Sequence, residues 1–282
     1  MKIDDGEIKR PPPRGGKIYS DKQITELIQE RENLFRRVRP LYERYCERLY
    51  FTDKGKEFAS QGFARRLEII AMCVSNVFDI IPAVKDLRDI PSDADALDAA
   101  INIQASLINV FGSIDNLAWV WVEERKLLGK DNKELDRFEV GLGAKCKIVR
   151  DSFSTEFRDH LKTLDKWFDA IGSYRDGLAH RIPLYVSTRC LMESDQTAYD
   201  EVLAKREAAY RSKNFAEYER LNCELEGLYV FQPYFKGSFT EQSGVVAFHF
   251  QLLSNLKIVL DLGEKITGEL DSLARTRKAP KD

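Results

Sequence analysis

Histidine is scarce in this chain, with three among 282 residues, at positions 160, 180 and 249. No pair of them forms His-x3-His. The five cysteines, Cys46, Cys73, Cys146, Cys190 and Cys223, contain no Cys-x-x-Cys. These absences exclude the ligand spacings of a zinc site and the even framework of a disulfide-stapled domain. The expectation is a chain without metal or cofactor in a reducing cytosol. Gly141-Leu142-Gly143 lacks the third glycine of a dinucleotide-binding turn, and no Gly-Lys-Ser/Thr follows to make a P-loop. The Gly-x-Ser-x-Gly elbow of an α/β-hydrolase is also missing.

Charge of one sign is missing too. Lys and Arg number 44 against 46 Asp and Glu, a formal net charge of −2. No global basic field draws in nucleic acid, so any such contact must use a local patch. The most apolar long segment, 99–122, is interrupted by Asn102, Gln104, Asn109, Asp115 and Asn116, which argues against a membrane span. The opening Met1-Lys2-Ile3-Asp4-Asp5 does not have the pattern of a secretory signal. A cytoplasmic chain that does not engage membrane is therefore expected. No repeat recurs at a fixed period.

What is present is a normal globular balance, 43% hydrophobic and 32% charged, enough to bury a core. Ile103, Leu107, Val110, Ile114, Leu117 and Trp121 recur at spacings of 4, 3, 4, 3 and 4. That spacing predicts a long central helix over 93–128, started by Pro91-Ser92 with Asp95. Ile101, Ala105, Ile108 and Phe111 add a second apolar face, so the helix should be packed on both sides or lie at a subunit interface. Before it, Ser20 and Gln23 form a capping box for a helix to Arg39. Pro40 should kink or end that helix, and the pattern resumes over 41–50. Phe58 to Val84 reads as a second helix.

The first of these helices interleaves Arg31, Arg36, Arg37, Arg39, Arg44 and Arg48 with Tyr42, Tyr45 and Tyr50, a pattern that can bind single-stranded nucleic acid. Glutamates at 30, 32, 43 and 47 can instead neutralise the arginines on a solvated face, and this second reading is favoured. After the 129–143 connector, Ser154 or Thr155 should cap a helix over 155–181. Ile182–Val186 and Leu228–Lys236 look strand-like and could pair as a ribbon. A charged helical hairpin over 197–226 lies between them, and a last helix runs from Thr240 to Leu273. The fold class is thus all-α, a helical bundle with a helical insertion and a small two-stranded ribbon.

The stretch that stands out is Tyr174-Arg175-Asp176-Gly177-Leu178-Ala179-His180-Arg181-Ile182-Pro183. It places polar groups where the pattern would otherwise continue the core. Arg175 and His180 stand about 140° apart on an ideal helix and share a groove, while Asp176 and His180 are i,i+4 and can touch. A carboxylate beside the imidazole would orient it and raise its pKa. The arginine fork could hold a phosphate while the histidine moves a proton. Gly172 and Gly177 would let a backbone or phosphate come close. Pro183 should end the helix at His180-Arg181. Asp115-Asn116 interrupts the apolar run of the central helix. A buried carboxylate needs a partner, expected to be Arg175, His180 or Arg181, either as part of a site or as a structural ion pair.

Arg175, Asp176 and His180, in that order and in this helical setting, resemble the Arg-x4-His signature of the HEPN superfamily. Ile101-Asn102-Ile103-Gln104 through Ile114-Asp115-Asn116-Leu117-Ala118-Trp119 is similar to the long inner helix of HEPN-like bacterial proteins. The resemblance implies a helical bundle that pairs as a homodimer, bringing two copies of the motif together. It also implies a metal-independent endoribonuclease with RNA as substrate, working in a toxin–antitoxin or phage-defence setting with an antitoxin or defence partner protein. Arg175, Asp176 and His180 would be catalytic. Arg181, Tyr174 and Tyr185 would contact substrate, with Asp115 and Asn116 in support. Ile182 stands where some HEPN toxins carry a tyrosine modified by a partner nucleotidyltransferase, so the resemblance does not extend to that control.

On this reading the chain divides into a disordered lead (1–19), a HEPN-like bundle (20–186), a hairpin insertion (187–240), a helix rejoining the bundle (241–274) and a disordered tail (275–282). The alternative is a non-catalytic interaction protein of the same fold, in which the Arg-x4-His cluster locks the helix terminus against Asp115 and the insertion serves a partner.

Overall fold

The 4-3-4-3-4 stripe forms the centre of the bundle. The computed structural model describes residues 16–129, 132–180, 182–236 and 246–278. In it, Ile103, Leu107, Val110, Ile114, Leu117 and Trp121 are all buried on a helix spanning Asp93–Arg125. Ser92 and Asp95 close its capping box. In chain order the helices are α1 (Asp21–Glu47), α2 (Asp53–Glu57), a π-helical segment (Phe58–Ala64), α3 (Arg65–Ile80), α4 (Asp93–Arg125), α5 (Lys147–Asp151), α6 (Thr155–Thr163), α7 (Asp165–His180), α8 (Gln196–Arg211), α9 (Phe215–Glu226) and α10 (Phe248–Lys278). The strands are β1 (Tyr185–Val186), β2 (Tyr234–Lys236) and β3 (Val246–Ala247). α4 packs against α3, α7 and α10. By length and hydropathy alone α4 could also cross a bilayer, but its apolar stripe is buried within the bundle.

Several expectations are corrected. α1 runs unbroken through Pro40. Leu34, Leu41 and Tyr45 stay buried on both sides of the proline, and Tyr45 donates from Oη to the Gly263 carbonyl at 2.9 Å. This tertiary burial offsets the roughly 3 kcal/mol that an interior proline costs. The second helix begins earlier than Phe58, at the Thr52 N-cap, and passes through the π-helical segment before ending at Ile80. The 155–181 helix is two helices, broken at Leu164, where Asp165 pairs with Arg150 at 2.7 Å.

The ribbon has three antiparallel strands in the order β1-β2-β3, with Tyr185 opposite Lys236 and Phe235 opposite Val246. The last helix therefore starts at Phe248 rather than Thr240, and 237–245 lie outside the described residues. Within the expected tail, 275–278 remain helical, and Arg277 donates from Nη2 to the Glu124 carbonyl at 2.8 Å. The hairpin α8–α9 has its own small apolar cluster of Val202, Ala209, Leu221 and Leu225.

The arginines between 31 and 48 are neutralised by α10 and by Asp79 of α3 as well as by α1's own glutamates. Arg37 pairs with Asp261 at 2.5 Å and Glu264 at 2.9 Å, and both Arg44 and Arg48 pair with Asp271. Only Arg36 with Glu32 and Arg39 with Glu43 pair within α1.

The expected mobile lead is pinned from residue 16 onward. Leu87 donates its N–H to the Gly16 carbonyl, Ile18 donates to Lys85, and Tyr19 is buried against His249. His249 is fully buried. Its Nε2 lies 2.7 Å from the Ile81 carbonyl, which can only accept, so Nε2 carries the proton and Nδ1 accepts from Tyr19 Oη at 3.1 Å. Burial pushes this imidazole down to about 4. The unfolded chain takes up that proton below an ordinary value near 6.5. Stability is therefore complete above pH 6.5 and falls as pH drops towards 4, by about 3 kcal/mol. Urea unfolding at stepped pH should show this acid loss in the wild type and not in His249→Gln.

Candidate active site

Three elements bring the polar groups together. α4 carries a second stripe beside its core stripe, Leu97, Ile101, Gln104, Ile108, Phe111 and Asp115, again at 4-3-4-3-4 spacing and hence on one face. The sequence expectation for the face of Ile101, Ala105, Ile108 and Phe111 is packing on both sides or a subunit interface; within the single chain Leu97, Ile101 and Ile108 are exposed. α7 closes over the far end, where the Arg175 guanidinium sits 4.4 Å from the centre of the Phe111 ring. Gln104 is held from another side, donating to the Leu184 carbonyl at 2.6 Å.

The motif residues occupy the second half of α7. Arg175 Nε is buried and lies 3.2 Å from Asp176 Oδ1, an ion pair without hydrogen-bond geometry, while 39% of the Arg175 side chain stays exposed. Asp176 is thus turned to Arg175, and among the described residues no hydrogen bond or ion pair joins it to His180, which its i,i+4 spacing allowed it to touch. His180 ends α7 with its side chain in solvent. A Cβ at Gly172 or Gly177 would meet nothing within 4 Å, so packing does not require either glycine. Arg181 lies outside the described residues. Tyr174 is half-buried, edge-on to Phe235 at 5.7 Å, and burial raises its phenol. Tyr185 is half-buried in β1, and its phenol is raised chiefly by burial.

Asp115 comes next to Arg175, though not as an ion pair. No hydrogen bond or ion pair reaches its carboxylate among the described residues. Arg175 acts on it through space, and so does Arg66 of α3. Burial outweighs both cations and holds the Asp115 carboxyl up at about 6. The Cys146 thiol, raised by burial and then by the Asp115 charge, closes another side.

Arg66 was missed by sequence reasoning. Its Nε donates to Asn116 Oδ1 at 3.0 Å and its Nη1 to Asn109 Oδ1 at 3.0 Å. Asn109 Nδ2 is tied to the Ala105 carbonyl at 2.8 Å, which aims its oxygen at the arginine. Two glycines make room for this seam. A Cβ at Gly112 would stand 2.5 Å from Arg66 Cζ, and one at Gly62 would stand 2.7 Å from Asn116 Cγ. Asn116 therefore supports the cluster by holding Arg66. The available signal was Asn102, Asn109 and Asn116 at steps of seven on one helix face. Asn102 accepts from Asn76 of α3 at 3.0 Å in the same seam.

Among the described residues no group of three or more His, Cys, Asp or Glu side chains is placed to hold a metal ion. His160 is half-buried beside Phe157, and its imidazole is held below the ordinary value by burial and then by the Lys265 charge. No family model, curated protein sequence or solved structure matches the chain.

Proposed function

We propose that the chain is a metal-independent endoribonuclease of HEPN type, with Arg175, Asp176 and His180 as its catalytic set. The observation that carries this reading is the solvent-exposed His180 on the same helix as a half-exposed Arg175, beside a partly buried carboxylate and a second arginine. Cleavage in this class of chemistry needs a base on the ribose 2′-hydroxyl, an acid on the leaving 5′-oxygen and positive charge at the phosphate. His180 serves as base, Arg175 and Arg181 hold the phosphate, Tyr174 and Tyr185 flank the substrate, and a second copy's His180 serves as acid. The homodimer pairs through the exposed stripe Leu97, Ile101 and Ile108, which runs up to the Phe111–Arg175 contact. The toxin–antitoxin or defence setting, with its partner protein, follows from the family resemblance alone.

A second reading is favoured by one observation. Arg175 is already engaged, stacked on Phe111 and paired with Asp176, as it would be in a non-catalytic scaffold of the same fold. Arg175→Ala separates the two. A cation–π contact and a partly exposed ion pair together contribute about 1 kcal/mol. On the ribonuclease reading the variant unfolds close to wild type and loses roughly 100-fold or more in RNA cleavage. On the scaffold reading it is destabilised, and neither protein cleaves RNA.

A further inference from the structure

The turn of α4 that ends in Asp115 places one carboxylate between two guanidinium groups without letting either bind it. Asp115 is i+4 from Phe111, which carries the Arg175 guanidinium 4.4 Å from its ring centre. It is i+3 from Gly112, above which the Arg66 guanidinium lies. A helical side chain leans back over the preceding turn, so the Asp115 carboxylate overhangs the space between the two cations. Arg66 is fixed by Asn109 and Asn116, whereas Arg175 is partly in solvent. The position is therefore preorganised on one side and open on the other.

We propose that Asp115, Arg66 and Arg175 form a proton-gated site for one phosphate group, closed to anions while Asp115 is ionised and open once it carries a proton. The charges acting on Asp115 are Arg175 from α7 and Arg66 from α3, and Asp176 pairs with Arg175 at the edge of the position. The Cys146 thiol feels the charges of Asp115 and Arg150. With Asp115 ionised, the two arginines and two aspartates carry no net charge. Protonation leaves one net positive charge and two guanidinium forks with unfilled donors, the arrangement that takes a phosphate oxygen pair. The neutral carboxyl adds an O–H donor of its own. That the anion is an RNA phosphodiester rests on the ribonuclease reading; the anion site does not. In that case the P–O5′ bond breaks as P–O2′ forms, the 2′-hydroxyl proton goes to His180 and the 5′-oxygen takes its proton from the second copy's His180, while neutral Asp115 only donates a hydrogen bond to the phosphate.

The test is sulfate binding by calorimetry between pH 5 and pH 8, because sulfate keeps its charge across this range. It is made in a His180→Ala background, which removes the exposed imidazole. Affinity is expected to fall about tenfold per pH unit above pH 6. In the added Asp115→Asn variant it should stay within about twofold of its pH 5 value throughout. Arg66→Gln should weaken binding at every pH. An unchanged pH slope in the Asp115→Asn variant, or no sulfate binding at pH 5, overturns the site. RNA cleavage by wild type is scored separately. Gated sulfate binding without cleavage supports the site and rejects the ribonuclease reading. Cleavage without a gated sulfate site rejects the site and leaves that reading standing.

Discussion

Replacing His180 with alanine is expected to lower RNA cleavage between about 100- and 10,000-fold, the range for removing one general acid or base. The unfolding free energy should stay within about 0.5 kcal/mol of wild type, as for surface positions without special contacts. His180 suits this comparison because it is exposed at the last position of α7, and no hydrogen bond or ion pair holds its ring among the described residues. A loss of cleavage therefore cannot be put down to a damaged fold. Initial rates on a fluorescent RNA, measured beside urea unfolding of both proteins, give the two numbers. Equal cleavage by both proteins would remove His180 from the chemistry.

The second large effect runs the other way. Asp115→Asn is expected to stabilise the protein at pH 8 by up to about 3 kcal/mol. In the unfolded chain this carboxyl ionises near its ordinary value of 3.8, whereas burial holds it at about 6 in the fold. The folded state thus resists ionisation. The cost of the charge appears as pH rises past about 4 and is complete above 6. Asparagine has the shape of the neutral acid and avoids that cost. The gain should vanish below pH 4. At roughly 2–4 °C per kcal/mol for a chain of this size, melting curves at pH 8 and pH 4 resolve it. A group that weakens the fold at neutral pH, in a seam of hydrogen-bonded asparagines, fits a functional position better than a structural ion pair. A structural pair would make Asp115→Asn destabilising at pH 8.

The core of this bundle could be read from spacing alone. The stripe from Ile103 to Trp121, the Ser20 and Ser92 caps and the hairpin over 197–226 are local patterns, and local physics produces them. What escaped the sequence depends on partners distant in the chain. The break at Leu164 accompanies an ion pair between Arg150 and Asp165. The continuity of α1 through Pro40 depends on Tyr45 reaching Gly263. The π-helical segment fits Gly62 against Asn116 of a different helix. The same holds for the site. Arg175, Asp176 and His180 announce themselves by proximity in sequence. Arg66 lies more than a hundred residues from Arg175 and sits in an ordinary amphipathic helix. The asparagines that fix it repeat visibly, but nothing local says what they face. The second α4 stripe was seen as apolar, yet its exposure at Ile101 and Ile108 could not be told from burial until α7 and β1 were placed.

The most direct measurement incubates the purified wild-type chain with RNA in excess chelator and identifies the ends it makes. Attack by the 2′-hydroxyl with proton transfer from side chains should give fragments with 2′,3′-cyclic phosphate and 5′-hydroxyl ends at an undiminished rate. Intact RNA, or cutting that stops when divalent metal is removed, would contradict it.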